Sequence, residues 1–384
     1  MKKYIYLDHA ATTPVSATVL ESMLPFFTDC PGNASAVYSA GREARKAVEK
    51  ARKQVAAAIG AEPREILFTS GGSESDNLAL KGTAFALKDR GKHLITTAIE
   101  HPAVLSTCRW LEKQGFEVTY IHPDVKGRIS PEKVMNAVRS DTVLISVMAA
   151  NNEIGTIEPV AEIGRSAHEK GILFHTDAVQ AVGSIPVSVN EWNADLLRLS
   201  AHKFYGPKGI GALYIRRGTR IDNLIHGGEQ ERGLRAGTEN VPCIAGLGKA
   251  IEEAVIHMDE NAHKAAALRD RLVTGILQTV PDVSINGLTE NRLPNNCSLR
   301  FDRIDGEALL LRLDLAGIAA SSGSACTSGS QEISHVLRAI GLTEEEARSS
   351  LRLTTGPDNT EEEIDNAVQT ISDIVKDLRS LYHS

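Results

Sequence analysis

Between residues 66 and 215 the chain repeats short runs of consecutive apolar residues: "EILFTS", "HLITT", "EVTYI", "TVLISVMAA", "GILFHTD", "DLLRLS" and "GALYI". Runs of this kind suit strands buried on both faces. Between them, "ESDNLALKGTAFALKDRG", "PAVLSTCRWLEKQG" and "PEKVMNAVRS" space their apolar residues by three and four, the helical period. The alternation predicts an α/β architecture in which a mostly parallel seven-stranded sheet is covered by helices. After about residue 248 the rhythm changes. A long helical stretch over about 249–280 leads to a strand "NNCSLRF", a helix "GEALLLRLDLAG", a loop of small residues, a helix "SHVLRAIG", a strand "SSLRLTT" and a last helix from about 360. These elements predict a smaller α+β domain over 259–384, beside a large domain over 15–258 and an arm, 1–14, that packs with the small domain.

The chain has 384 residues, 42% of them hydrophobic, enough for two cores. Its 42 basic and 49 acidic residues give a net charge of -7 with no basic block, which argues against direct nucleic-acid binding. No apolar run reaches the roughly 18 residues of a membrane span. The start, "MKKYIYLDHAATT", meets Asp8 and His9 too soon for the apolar region of a signal peptide, so a cytoplasmic location is expected. Cys30, Cys108, Cys243, Cys297 and Cys326 are odd in number and irregularly spaced, as reduced thiols are, and no metal-ligand pattern includes them.

Ligands of open α/β sheets gather beyond the carboxyl ends of the strands, so the residues that follow each strand carry the chemistry. After "EILFT", the turn "SGGSESDN" opens a helix at Gly72 and Ser73, a place suited to phosphate as well as to plain capping. After "LITT", His101 precedes Pro102; its ring can cap, stack on a flat cofactor or move a proton. Asn151 and Asn152 follow "VLISVMAA", and either amide could orient a cofactor substituent or a substrate carboxylate. Asp177 ends the next strand with Gln180 three residues on, and a carboxylate there can cap a helix or keep a pyridine nitrogen protonated. Beyond "DLLRLS", Lys203 stands in a Gly/Pro-rich turn beside Ser200 and His202, where a lysine can act as a nucleophilic amine. Each signal has a bland structural explanation; their conjunction in this order describes a pyridoxal phosphate site.

The chain resembles the cysteine desulfurases of the NifS/IscS type, fold-type I pyridoxal phosphate enzymes of the class V aminotransferase-like group. The likeness is carried by "YLDHAATTP", "FTSGGSESDNLAL", "EHPAVL", "NNEIGTIEPV", "FHTDAVQAVG", "SAHKFYGPKGIGALYIR", "GGEQERGLRAGTENVP", "SSGSACTS" and "SHVLRAIGL". It implies that Lys203 forms the Schiff base with pyridoxal 5'-phosphate, Asp177 pairs with the pyridine nitrogen, Gln180 contacts the ring hydroxyl and His101 stacks. It also implies that Gly72, Ser73, Ser200 and His202 hold the phosphate, with Thr238 reaching it from the other subunit of a homodimer. Asn152 and Arg352 would hold the substrate carboxylate, for which a planar guanidinium is well shaped. The sequence departs from the family's usual pattern at Ser73, which keeps a hydroxyl, and at Ala34 and Tyr38 of "GNASAVYSAG", where Pro and His are usual.

The remaining feature is "SSGSACTSGS", which sets Cys326 among small residues, whereas a thiol used only for packing would have apolar neighbours. By the same resemblance Cys326 attacks the sulfur of bound L-cysteine, carries it as a persulfide and delivers it to an acceptor protein, an iron-sulfur scaffold or a tRNA-thiolation enzyme. Small residues suit such reach. In that chemistry Lys203 removes the Cα proton, His101 is a candidate acceptor for the thiol proton, and alanine leaves. The rival readings are a selenocysteine lyase, a cysteine sulfinate desulfinase or an aminotransferase, which share Lys203 and Asp177 but do not need Cys326, and a non-catalytic sulfur-assembly scaffold.

Overall fold

The computed structural model describes residues 4–322 and 333–381. Its strands are β1 (Ile5–Tyr6), β2 (Ile66–Thr69), β3 (His93–Thr97), β4 (Glu117–Ile121), β5 (Thr142–Ser146), β6 (Leu173–Asp177), β7 (Leu196–Ser200), β8 (Gly211–Ile215), β9 (Val283–Ile285), β10 (Asn296–Phe301), β11 (Ile318–Ala319) and β12 (Ser350–Thr354). Seven of them form one sheet in the order β2-β8-β7-β6-β5-β3-β4, as the apolar runs predict. Strands β3 to β7 are mutually parallel, and β8 runs antiparallel to both of its neighbours, β7 and β2. Reversal at β8 returns β2 to the common direction, so β2, β3, β5, β6 and β7 end at one edge. Every residue of β2, β3, β5, β7 and β8 is buried, as strands between two helical layers must be.

The helix Ser39–Ile59 lies outside the elements predicted above. It turns Ala44, Val48, Ala51, Val55, Ala56 and Ile59 to the core and ends on Gly60, whose φ of +71° suits glycine. It lies close against the helix Val241–Ile256, because Gly248 has no side chain; a Cβ there would meet that of Ala51 at 2.6 Å. The long helical stretch expected over 249–280 is two helices, Val241–Ile256 and Met258–Thr279, that meet at His257. The break has a packing cause. Leu247 and Ile251 belong to the apolar cluster of the large sheet, whereas Leu268, Leu272 and Ile276 join a second cluster with Leu299, Leu353 and Ile371.

That second cluster lies against an antiparallel sheet of order β12-β10-β9, in which β9 was not among the predicted strands. Strand β1 pairs in parallel with β11, and Leu7 is buried in the same cluster. Asp8 continues this contact by bridging to Thr354 at the end of β12. The N-terminal segment therefore runs from the small sheet directly into the carboxyl edge of the large one.

Candidate active site

One cleft of about 290 Å³ opens at that edge. Gly72, Ser73, His101, Asn152, Asp177, Gln180, Ser200, His202, Lys203 and Arg352 all line it, joined by Ala10, Ala11, Met148 and Arg198. Thr238 is exposed and does not line the cleft of its own chain. Cys326 lies outside the described residues.

At one end, β2 leads into a helical run that starts at Gly72 and continues through a π-helical turn, Leu78–Gly82, to Ala86. Gly71, at φ +145°, turns the chain so that the run begins at the cleft. Gly72 is needed for space, since a Cβ there would meet Arg198 Nη1 at 2.9 Å. Amides at the start of a helical run, with Ser73, Ser200 and His202 beside them, form a suitable cradle for a phosphate.

Lys203 follows β7 in a short 3-10 turn, and its Nζ donates to the carbonyls of Ala10 and, at 2.7 Å, Ala11. The N-terminal segment thus holds the amine at the cleft. Gln180 is tied to the same segment, its Nε2 donating to Ala10 O at 3.0 Å. His202 meets Thr12 Oγ1 through Nδ1 at 3.2 Å, and burial followed by the charge of Lys203 lowers its ring to about 4.

His101 caps the helix Pro102–Lys113, its Nδ1 accepting the Ala103 N–H at 3.1 Å. Burial, then the charge of Arg198, pushes its ring down to about 4, so it is neutral at pH 7. With Nδ1 accepting, the neutral ring carries its proton on Nε2. Such a ring offers a flat face and one N–H donor, and it is a weak base.

Asp177 ends β6 with Oδ1 accepting the Val179 N–H at 3.0 Å and Oδ2 accepting from Arg198 Nη2. Burial alone would raise this carboxyl, but the guanidinium outweighs it and holds Asp177 below the usual range. Arg198 also lies 2.5 Å from Asp76 through Nη1. Neither Arg198 nor Asp76 was among the candidates from sequence. The signal was present: "DLLRLS" places one arginine inside an apolar strand, where a lone charge requires buried partners.

Arg352, on β12, reaches the cleft from the small sheet. Its Nη1 donates to Asn152 O at 3.2 Å and its Nη2 to Asp8 Oδ1 at 2.7 Å, while its buried Nε has no hydrogen-bond partner among the described residues. The described residues that flank the Cys326 stretch are tied down at separate points. Ser321 forms an antiparallel bridge with Arg352, and Ser334 donates to the Glu153 carboxylate. His335 is fixed by a 2.9 Å contact from Nε2 to Glu100 O.

The donor set fits pyridoxal phosphate: an anion cradle at Gly72 and Ser73, an ionised carboxylate at Asp177, a lysine amine between them and a flat imidazole face. Gly72 also keeps the start of that run against Arg198, where a Cβ would not fit.

The aminotransferase class-V family matches residues 5–367. A cysteine desulfurase IscS from Methanosarcina thermophila is 54% identical over 379 residues, 99% of this chain and 94% of the relative. Among solved structures, a NifS-like protein superposes with a TM-score of 0.92 at 42% identity, covering 98% of this chain and all of that one. A structure described as SspA in complex with cysteine gives a TM-score of 0.82, also at 42% identity, over 93% of this chain and all of its own. The chain belongs to the class-V aminotransferase family and, within it, to the cysteine desulfurases.

Proposed function

We propose that this protein converts L-cysteine to L-alanine with pyridoxal 5'-phosphate bound at Lys203, leaving the sulfur as a persulfide on Cys326. The observation that supports this best is the meeting in one cleft of Lys203, Asp177 and Arg352, with Ser321, shortly before Cys326 in the chain, bridged to Arg352. Bound cofactor would supply an electron sink that acidifies the Cα–H of the amino acid and lets electrons flow from the Cβ–S bond. Arg352, with Asn152, orients the substrate carboxylate, and its buried Nε and Nη groups form the planar donor set that a carboxylate matches.

Once the substrate amine has displaced it from the cofactor, Lys203 Nζ would be the base that takes the Cα proton and later returns a proton to carbon. The Cys326 thiolate attacks the substrate sulfur; the S–S bond forms as the Cβ–S bond breaks, and the electron pair stays with the carbon skeleton that becomes alanine. His101 supplies its flat face and a neutral Nε2–H, which favours stacking over the base role considered from sequence. The thiol proton then goes to another acceptor, such as the substrate or solvent.

The acceptor of the sulfur is a protein with its own thiol, either an iron-sulfur scaffold or a tRNA-thiolation enzyme. A homodimer in which Thr238 completes the partner's phosphate cradle accounts for the exposure of Thr238, and Leu24, Phe27, Val37 and Tyr38 offer exposed apolar surface for such contact. Cys30, Cys108, Cys243 and Cys297 are all free thiols, which suits the cytoplasm.

The test is alanine formation from L-cysteine under reducing conditions, with the persulfide detected by mass. Lys203→Ala and Cys326→Ala should both abolish alanine formation, Cys326→Ala while still binding cofactor. Alanine formation at the parental rate by Cys326→Ala would replace this reading with a lyase or desulfinase.

A further inference from the structure

Strand β7 carries Arg198 in its middle, 2% exposed, between two carboxylates that are just as hidden: Asp76 at 0% and Asp177 at 3%. One guanidinium group touches both, through Nη1 at 2.5 Å to Asp76 and through Nη2 to Asp177. A single buried cation balances only one of two buried anions, so one of the carboxyls must hold a proton. The surroundings decide which. Asp177 receives the Val179 N–H as well as Arg198, whereas neither oxygen of Asp76 makes an aligned hydrogen bond among the described residues. Burial raises Asp76 well above the usual range against the pull of Arg198, and the charge of Asp177 raises it further. The other titratable groups facing this row are Glu100 and His101 after β3, His175 on β6, 3.6 Å from Asp76, and Lys203 after β7.

We propose that Arg198 and Asp76 are positioning residues for Asp177: Arg198 keeps it charged but shares it, and Asp76 holds a proton that it releases when a second cation reaches Asp177. The second cation is the protonated ring nitrogen of the cofactor, so this consequence rests on the pyridoxal phosphate reading above. The charges balance at each stage. Before loading, Arg198 offsets Asp177 and Asp76 is neutral; after loading, guanidinium and pyridinium offset two carboxylates, because Asp76 has lost one proton and the ring nitrogen has gained one. The arrangement limits how tightly Asp177 binds the ring N–H, and Asp76 restores it.

Four full-length proteins test this: the parent, R198Q, D76N and the R198Q/D76N double variant. Loaded with ¹⁵N-labelled pyridoxal phosphate, D76N should deprotonate the ring nitrogen at a pH lower than the parent by about one unit or more, since no carboxyl remains to offset the added cation. R198Q should shift it the other way, and the double variant should return close to the parent, because Asp177 then serves the ring alone. Losses from altered packing would add and not cancel. An unshifted D76N, or a double variant that behaves as D76N does, overturns the proposal.

The cofactor-free proteins test the premise separately. R198Q leaves two buried carboxyls without a cation, so its loss of urea resistance should be larger at pH 8 than at pH 5.5, while D76N should change little at either pH. An R198Q loss equal at the two pH values would sink the proposal whatever the cofactor does. Failure of the parent to bind pyridoxal phosphate would overturn the reading of the cleft and leave this second comparison standing.

Discussion

Arg352 holds Asp8 through a 2.7 Å contact between Nη2 and Oδ1, so the arginine assigned to the substrate carboxylate already has a carboxylate of its own chain. Asp8 lies on the segment that links the small sheet to the Lys203 turn, through Thr354 on one side and the carbonyls of Ala10 and Ala11 on the other. With Arg352 as the proposed carboxylate anchor, substrate binding would have to share or displace an internal ion pair. Asp8→Asn removes the competing charge and is expected to lower KM for L-cysteine about threefold, in keeping with the modest net value of one partly exposed ion pair. Arg352→Gln should raise KM by roughly tenfold to a hundredfold, the usual worth of a charge-assisted hydrogen bond. Steady-state alanine formation measures both, and a raised KM in Asp8→Asn would mean that Asp8 positions the arginine and does not compete for it.

Gly72→Ala tests the cofactor cradle. The added Cβ would sit 2.9 Å from Arg198 Nη1 and 3.5 Å from Val179 Cγ2. An arginine tip can often move aside, but this one is held between Asp76 and Asp177, both buried, so the helix start must shift. Pyridoxal phosphate affinity should fall by about tenfold or more, an energy of roughly 1.4 kcal/mol, as read by fluorescence titration of the cofactor-free protein. Unchanged affinity would place the phosphate elsewhere.

Stability of the cofactor-free chain should pass through a maximum in mildly acidic solution. Burial lowers His175 to about 3 and His101 and His202 to about 4, so these rings stay neutral when folded, and stability rises as pH climbs from those values toward the unfolded histidine range. Burial raises Glu153 to about 7 and Glu100 and Glu158 to about 8, and these acids act in the opposite sense. They bind protons in the folded chain that the unfolded chain has already released, so stability falls as pH rises through about 7 to 8. Glu100→Gln should flatten that decline in urea unfolding curves taken between pH 5 and 9. A decline of the same slope in the variant would remove Glu100 from this account.

Arg52 and Glu231 form a buried two-pronged ion pair, Nη1 at 2.8 Å and Nη2 at 2.7 Å, and Glu231 also accepts the Phe68 N–H at 3.0 Å. The pair ties the helix Ser39–Ile59 and strand β2 to the loop that precedes Thr238. Arg52→Met strands a buried carboxylate and should cost about 3 to 5 kcal/mol, seen as a lower urea midpoint. Arg52→Met combined with Glu231→Gln should recover part of the loss. A single variant as stable as the parent would show that the pair adds nothing to stability.

The strands of the large sheet were legible because a strand buried on both faces is apolar at most positions, and "TVLISVMAA" or "GALYI" can be little else. The helix Ser39–Ile59 was harder to see. Half of the core-facing residues named above are alanines, set between lysines and arginines, a weak contrast for any periodic reading. The division at His257 was invisible locally because both flanking helices suit the same residues; only their attachment to different sheets breaks the run.

Chemistry followed the same rule. The order of Gly72, His101, Asp177 and Lys203 along the chain pointed to a single shared site, and all four line one cleft, because the topology of an α/β sheet carries each strand end to one edge and residue types placed there survive as signals in the sequence. What Arg198 and Asp8 do was decided only in three dimensions. An arginine in a strand and an aspartate near the N-terminus acquire meaning from the charges they meet, Asp76 with Asp177 in one case and Arg352 in the other, and those partners lie far apart in sequence. Strand ends are set by local pattern, whereas the balance of buried charge depends on which distant groups the packed fold brings within a few ångströms.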